Sequence, residues 1–365
     1  MLTKADDYPI HQTPEPVAYS GTDRNFYDRY FFNGYQRDGS LFFAAALGVY
    51  PHLNVMDAAF SFIVDGHQHN LFTSKTLHME RLDTQVGPIS VEVLEPLQSL
   101  RIRVDDPEHG LAAELTFQAR FPVIEEPRFS RRVGSMTAMD YTRLTQNGCY
   151  QGWIEHGGQR HEVSPDAWWG TRDRSWGIRS VGTRDTQHNP YAGEPQFFWL
   201  WAPLNFDDCA TFYHLNADAQ GRPWNTAGRI ANSSETISPT EVSSTLAYQV
   251  GTRHAAAATI VLGTDERASV IELTPEQTFF MKGIGYGHPE WGHGLYHGEL
   301  ATGFETYQLD ALPLGDPAHF HIQAICAARL VAPDGSVRQG KGILEQLVIG
   351  PCAPYGFEAL ADLAS

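Results

Sequence analysis

Twelve consecutive residues, Trp168-Trp169-Gly170-Thr171-Arg172-Asp173-Arg174-Ser175-Trp176-Gly177-Ile178-Arg179, hold three indoles, three guanidiniums and one carboxylate. Large rings seek burial, whereas Arg and Asp are buried only when paired. The run therefore implies an ion-pair network beside an aromatic surface, a place suited to a ligand. A second dense stretch, residues 286–298, brings Tyr286, His288, Glu290, Trp291, His293, Tyr296 and His297 among glycines and one proline. Together the two stretches form the candidate site.

Laid out as one extended strand, residues 168–179 put Asp173 on a face with Trp169, Thr171, Ser175 and Arg179, and turn Arg172, Arg174 and Trp176 the other way. Three chemistries fit Asp173. In an apolar pocket its pKa rises and it serves as general acid toward a carbon–carbon double bond, with Trp169 and other rings stabilising the developing cation. Beside a guanidinium it stays ionised and orients an Arg toward a substrate carboxylate or carbonyl. As a buried Arg–Asp pair it locks two halves of the protein together with no chemistry.

In the second stretch, Tyr286 or His288 is expected to place water or take up a proton, and Trp291 and His293 join Trp169 and Trp176 as walls of the cavity. Arg172 and Arg179 orient the network. His288, His293 and His297 with Glu290 are metal-ligand types, but their spacing and the intervening Gly and Pro exclude a helix of the HExxH kind. No metal is assigned, and a glycine-rich turn whose rings merely pack remains the other reading. Tyr35 and Asn54, flanking the apolar run 41–47, are added as loop contacts to a ligand. Glu125-Glu126, just before Pro127, reads as a solvated loop. No GxSxG elbow, no GxGxxG after a strand and no GxxxxGK[ST] loop occurs, which argues against the corresponding hydrolase, dinucleotide and nucleotide chemistries.

Short alternating or apolar runs separated by turns must position these groups: 59–64 ending at Asp65-Gly66, then 89–93, 100–104 and 111–117, and later 197–201, 210–215, 243–250, 258–262, 269–273, 322–331 and 343–349. Helical candidates are few, 129–147 and 357–363. The expected fold is mostly β, a sandwich or an up-and-down barrel. The 365 residues exceed one ordinary core, so two units are expected, 1–185 and 186–365, divided at the polar, Pro-containing stretch 184–190. A net charge of −17 without a basic patch argues against nucleic acid. Cys149, Cys209, Cys326 and Cys352 lack CxxC pairing and read as reduced thiols. With no apolar leader and no run long enough to span a membrane, a soluble cytoplasmic protein is expected.

The residues Trp169-Gly170-x-Arg172-Asp173-x-Ser175-Trp176-Gly177-x-Arg179 and Tyr286-Gly287-His288-Pro289-x-Trp291-Gly292-His293-Gly294 resemble the bacterial proteins related to hydroxyneurosporene synthase (carotenoid 1,2-hydratase). Phe32-Asn33-Gly34-Tyr35-x-Arg37-Asp38-Gly39 and Gly340-x-Gly342-x-Leu344-Glu345-Gln346 extend the likeness over nearly the whole chain. One departure is Arg174, where such relatives often carry His. The resemblance implies two tandem lipocalin-like (calycin) β-barrels, a fold also attributed to tocopherol cyclase-like proteins. It also implies hydration or cyclisation of an apolar polyene or terpenoid without a redox cofactor. The expected activity is acid-catalysed hydration, dehydration, isomerisation or cyclisation of an isoprenoid- or polyketide-like small molecule, the only partner required, although a homodimer is compatible. A carrier or sensor of hydrophobic ligands is the alternative, since a barrel supplies a cavity with or without chemistry.

Overall fold

The computed structural model describes residues 2–19, 21, 23–183, 193 and 195–365. The chain is mostly antiparallel β, as expected, and its strands form two large sheets. In the first, the strands run in the order Leu300–Gln308, His67–Thr76, Val55–Val64, Phe42–Tyr50, Phe26–Gln36, Trp168–Ile178, Met136–His156, Leu111–Ala119, Ser99–Asp106, Ile89–Glu95 and Gln85–Val86. The second runs from Thr236–Ile237 through Pro223–Ala231, Ala210–Ala217, Phe197–Phe206, Val337–Ile349, Ile322–Val331, Ser269–Phe280 and Ala255–Leu262 to Val242–Tyr248. Asp65 and Gly66 both adopt positive φ between strands that pair Val64 with His67, the two-residue turn whose twist matches a hairpin.

Several strands are apolar on both faces, and the reason lies in three cores. Phe32, Phe43, Leu47, Phe60, Leu115, Tyr150 and Trp168 fill the inside of the first sheet. Phe198, Leu200, Leu204, Tyr213, Ile260, Leu273 and Leu344 fill the inside of the second. The opposite faces of the same strands meet back to back: Phe31, Tyr35, Phe42 and Trp169 pack with Trp199, Trp201, Phe212, Phe279, Ile325 and Ile343. Along Phe197–Phe206 the even residues go to the inner core, while Trp199, Trp201 and Asn205 go to the seam between the sheets, as a period of two requires.

Two helical expectations fail. Residues 129–147 form strand Phe129–Val133, a turn at Gly134 (φ 60°) and the first half of strand Met136–His156; residues 357–363 contain no helix. The apparent helical periodicity of 129–147 came from merging two strands across that turn. The divide near residue 185 lies outside the described residues. The four cysteines are unpaired, and among the described residues no helix is long and apolar enough to cross a membrane.

Strand Leu300–Gln308 pairs with His67–Thr76 and so carries a late segment of the chain to the edge of the first sheet. The preceding stretch, residues 281–299, is thereby laid across the outer face of strands Phe42–Tyr50, Val55–Val64 and His67–Thr76. Ser61 Oγ donates to the Gly283 carbonyl, Gln68 Nε2 to the Phe280 carbonyl, and Ser74 Oγ to the Leu295 carbonyl.

Candidate active site

The seam is tied shut at one end. Tyr35, fully buried, donates to the Lys341 carbonyl (3.0 Å) and accepts from Asn205 Nδ2, which also donates to the Gly170 carbonyl. Asn147 Nδ2 reaches the Leu204 carbonyl, and Arg120 binds Asn205 and the carbonyls of Phe206 and Asp207. Trp169 lies here with Arg37 and Arg120 on its faces, 3.8 and 4.3 Å from ring centroid to guanidinium carbon. Trp169 and Tyr35 therefore join the sheets rather than wall an open cavity.

At the other end the side chains on the seam are half-buried: Tyr141, Asp173, Arg179, Phe197, Tyr286, His293, His321 and Leu347. The strand ends coincide there, since Phe26 and Asp140 both lie opposite Ile178 and Phe197 lies opposite Ile349. Asp173 sits five residues inside that rim, about 16 Å at about 3.3 Å per residue. It pairs across the backbone with Phe31 and Thr145. Protein surrounds its carboxyl group, yet the residue keeps some accessible surface. Among the described residues nothing hydrogen-bonds to it. Burial pushes its pKa up to about 7, opposed by Arg143 and Arg29 and assisted by Glu126 and Glu345.

The two glutamates contrast with it. Glu126 accepts from Arg143 Nη2 (2.7 Å), Thr145 Oγ1 (2.5 Å) and Trp201 Nε1 (3.2 Å). Glu345 accepts from His321 Nε2 (2.8 Å), Gln323 Nε2 (2.8 Å) and Trp199 Nε1 (3.1 Å). Burial penalises both charges, but Arg143 and the hydroxyl for Glu126, and His321 and Gln323 for Glu345, outweigh it and hold each pKa below the ordinary value. Arg143, buried as well, is held protonated chiefly by Glu126, which overcomes its desolvation; its guanidinium carbon lies 4.5 Å from the Trp199 ring centroid. A carboxyl of raised pKa thus lies within electrostatic reach of two of lowered pKa, the contrast that separates acid from base.

The two stretches of the sequence meet where Arg179 reaches Tyr286 and His293. Tyr286 Oη accepts from Arg29 Nη1 (2.7 Å) and from Arg179 Nη1 (3.5 Å), and Arg179 Nη2 donates to His293 Nδ1 (3.3 Å). His293 Nε2 is tied to the Ile284 carbonyl, and burial with Arg29 and Arg179 nearby holds its pKa well below the ordinary value. Arg29 also faces Asp57, a half-buried carboxyl that accepts from Gly294 N–H (2.7 Å) and Tyr50 Oη (3.0 Å) and whose pKa burial raises to about 6. A crevice lined by Arg29, Asp57, Phe72, Trp291, His293 and Leu295 adjoins this cluster, with a cavity of about 20 Å³, the scale of one water molecule.

The remaining candidates stand elsewhere. His288 is buried with both nitrogens engaged, Nδ1 accepting from the N–H groups of Glu290 and Trp291 and Nε2 facing Glu305 at 3.2 Å, so it pins the loop to the edge strand. Trp291 stacks on Phe72 and His297. Arg172 points into the first sheet's core, where Nε donates to Gln146 Oε1 (2.9 Å). Trp176 is exposed. Asn54, at φ 55°, caps a turn through Oδ1 and the His78 N–H. No group of three or more His, Cys, Asp or Glu among the described residues is placed to hold a metal.

Sequence reasoning missed Arg29, Asp57, Glu126, Arg143, His321 and Glu345. Glu126 is no solvated loop: it is buried, and only its neighbour Glu125 is exposed. The available signal was a charged residue inside an apolar alternating run, as at Glu345 within 343–349, which marks a buried polar face of a strand.

The chain belongs to a family of unknown function (DUF8625), whose profile matches residues 2–358. No curated protein matches its sequence. Among solved structures it is similar to a protein of Nitrosomonas europaea named as AttH, at 13% identity over 93% of this chain and 98% of that one, with a TM-score of 0.55. Kievitone hydratase from Nectria haematococca matches at 11% identity over 88% of each chain, TM-score 0.55. CghA matches at 11% identity over 93% of this chain and 95% of that one, TM-score 0.51. Likeness at this level of identity concerns the fold.

Proposed function

We propose that this member of the DUF8625 family is an enzyme that needs no redox cofactor and that binds an apolar, isoprenoid- or polyketide-like molecule at the open end of the seam. There it carries out acid-catalysed hydration, dehydration, isomerisation or cyclisation at a carbon–carbon double bond. The observation that carries this reading is Asp173: a desolvated carboxyl with residual access, no hydrogen-bond partner among the described residues and a pKa raised to about 7. Such a group can give a proton to a weakly basic alkene carbon near neutral pH. The cation left on the neighbouring carbon is stabilised by the ionised Glu126 and Glu345 and by the aromatic rings of the seam. Water or an internal hydroxyl then adds, or a proton leaves. These steps are redox-neutral, so an acid, a base and exclusion of bulk water suffice.

The fold shared with a protein named a hydratase supports the reading as analogy only. The resemblance of the 168–179 and 286–294 motifs to hydroxyneurosporene synthase-related proteins points to the same substrate class. The proposed roles are Asp173 as acid, Tyr286 as the phenol that Arg29 and Arg179 hold beside it, and His293 and Arg179 as positioning residues. The units 1–185 and 186–365 are proposed as the two halves that close on the substrate.

The test is turnover of lycopene, geranylgeraniol and a linear tetraene ester in H₂¹⁸O, followed by mass spectrometry. Asp173→Asn is expected to lose activity at least ~100-fold while polyene binding, read by Trp quenching, is retained. Binding without turnover in the wild-type protein would instead establish a carrier.

A further inference from the structure

Hydration needs a second group, one that removes a proton from the attacking water, and the reading above leaves it open. His288 and His293 have both ring nitrogens engaged. His214 is sealed, with no exposed surface. His321 differs. It lies on the second sheet just before strand Ile322–Val331, at the open end of the seam, and is half-buried. Its Nε2 is 2.8 Å from Glu345 Oε1, and Glu345 is fixed in turn by Gln323 and Trp199. With Glu345 held ionised, Nε2 carries a proton and donates it, so in the neutral ring the lone pair is on Nδ1. Nδ1 has no partner among the described residues. The Tyr286 ring packs edge-on against the imidazole, centroids 4.6 Å apart, so the base borders the phenol of the acid side. Glu345 in turn lies within electrostatic reach of Asp173.

We infer that His321, oriented by Glu345, is the base that faces Asp173 across the seam. In hydration Asp173 transfers its proton to one alkene carbon as water oxygen bonds to the other. The water's proton passes to His321 Nδ1, so a C–H and a C–O bond replace the π bond. Asp173 is left ionised and His321 protonated. Solvent exchange at the rim restores both, and dehydration runs the same steps in reverse. Glu345 is a positioning residue: it holds the tautomer, as the carboxylate does in a Ser-His-Asp arrangement.

The inference rests on the acid-catalysis reading, and the experiment separates the two. In full-length protein labelled with ¹⁵N-histidine, the His321 signals, assigned by their loss in His321→Gln, should show at pH 8 a protonated Nε2 and a bare Nδ1, with Glu345→Gln shifting the proton toward Nδ1. A protonated Nδ1 in the wild-type protein overturns the inference and needs no variant to fold. With the three polyene probes, His321→Gln should lower kcat at least 100-fold with KM within threefold. Wild-type turnover in His321→Gln alongside an inactive Asp173→Asn overturns the base and leaves the acid standing. Full turnover in Asp173→Asn, or none of the probes consumed by the wild-type protein, overturns the acid-catalysis reading itself, and the inference with it.

Discussion

Burial raises the pKa of Asp173, and among the described residues no neighbour offers its carboxylate a hydrogen bond, whereas Glu126 and Glu345 each accept three. That difference has a thermodynamic sign. With a folded pKa of about 7 against an ordinary 3.8, the folded state retains a proton that the unfolded chain sheds above about pH 4. Stability from this group is therefore full below that pH and is lost as pH rises through 7. Asp173→Asn removes the dependence: it should be more stable than the wild type by about 2–4 kcal/mol at pH 8 and no more stable near pH 4. Urea unfolding at the two pH values reads this directly, and equal curves at pH 8 would place the carboxyl in a wetter setting. For the Glu126–Arg143 pair, Glu126→Gln strands a buried guanidinium and should cost about 3–5 kcal/mol, while Glu126→Met with Arg143→Met together should cost far less. At this scale the sequence revealed that Asp173 shares a face with Trp169 and Ser175 and opposes Arg172. It did not reveal the companions of Asp173, because Arg29, Arg143 and Glu345 lie on other strands and Glu126 just past another, 30 to 172 residues away by number, and pairing between distant strands leaves no local pattern.

Strand positions were the legible level among elements, since residues alternating toward two cores write a period of two or a continuous apolar run. The stretch 129–147 misled because a hairpin crossing at Gly134 merges two short patterns into one that imitates a helix. The irregular stretch 281–299 was recognised as dense in chemistry, but not which of its residues face Asp173. Its course is set by anchors on two other strands and by the edge strand that follows. One such anchor is Gly303, on that edge strand. The Trp291 ring lies over it so closely that a Cβ there would fall 2.4 Å from the indole. Gly303→Ala must therefore displace Trp291 from its stack on Phe72 and slacken the loop that carries Tyr286 and His293. The expected cost is about 1–3 kcal/mol of stability, with a larger fractional loss of turnover than of folded protein. Tryptophan emission and thermal melts measured together check it, and an unchanged spectrum would show that the ring does not hold the loop.

Over the whole molecule, the two sheets are less independent than a tandem arrangement implies. The seam buries Phe31, Tyr35, Phe42 and Trp169 of the first sheet against Trp199, Trp201 and Phe212 of the second. A late strand, Leu300–Gln308, completes the edge of the first sheet. Expressed alone, residues 1–183 would present that aromatic face to water and leave strand His67–Thr76 as an unpaired edge, two features that promote aggregation. The fragment should be insoluble or lack a cooperative thermal transition, and a fragment of residues 195–365 should fare no better, since its own seam face and the strand it donates lose their partners. Co-expression of the two fragments should restore a soluble complex, because every cross-seam bond from Asn33–Gln323 to Tyr35–Lys341 can then re-form. Calorimetry on each fragment and on the complex decides the matter. A cooperative melt from residues 1–183 alone would show that the inner core of Phe43, Phe60 and Trp168 suffices without the seam. Asp173 would then sit on a surface that folds independently of the residues proposed to work with it. The opposite result would mean that the acid on one sheet and the His321–Glu345 pair on the other come into being in a single folding event.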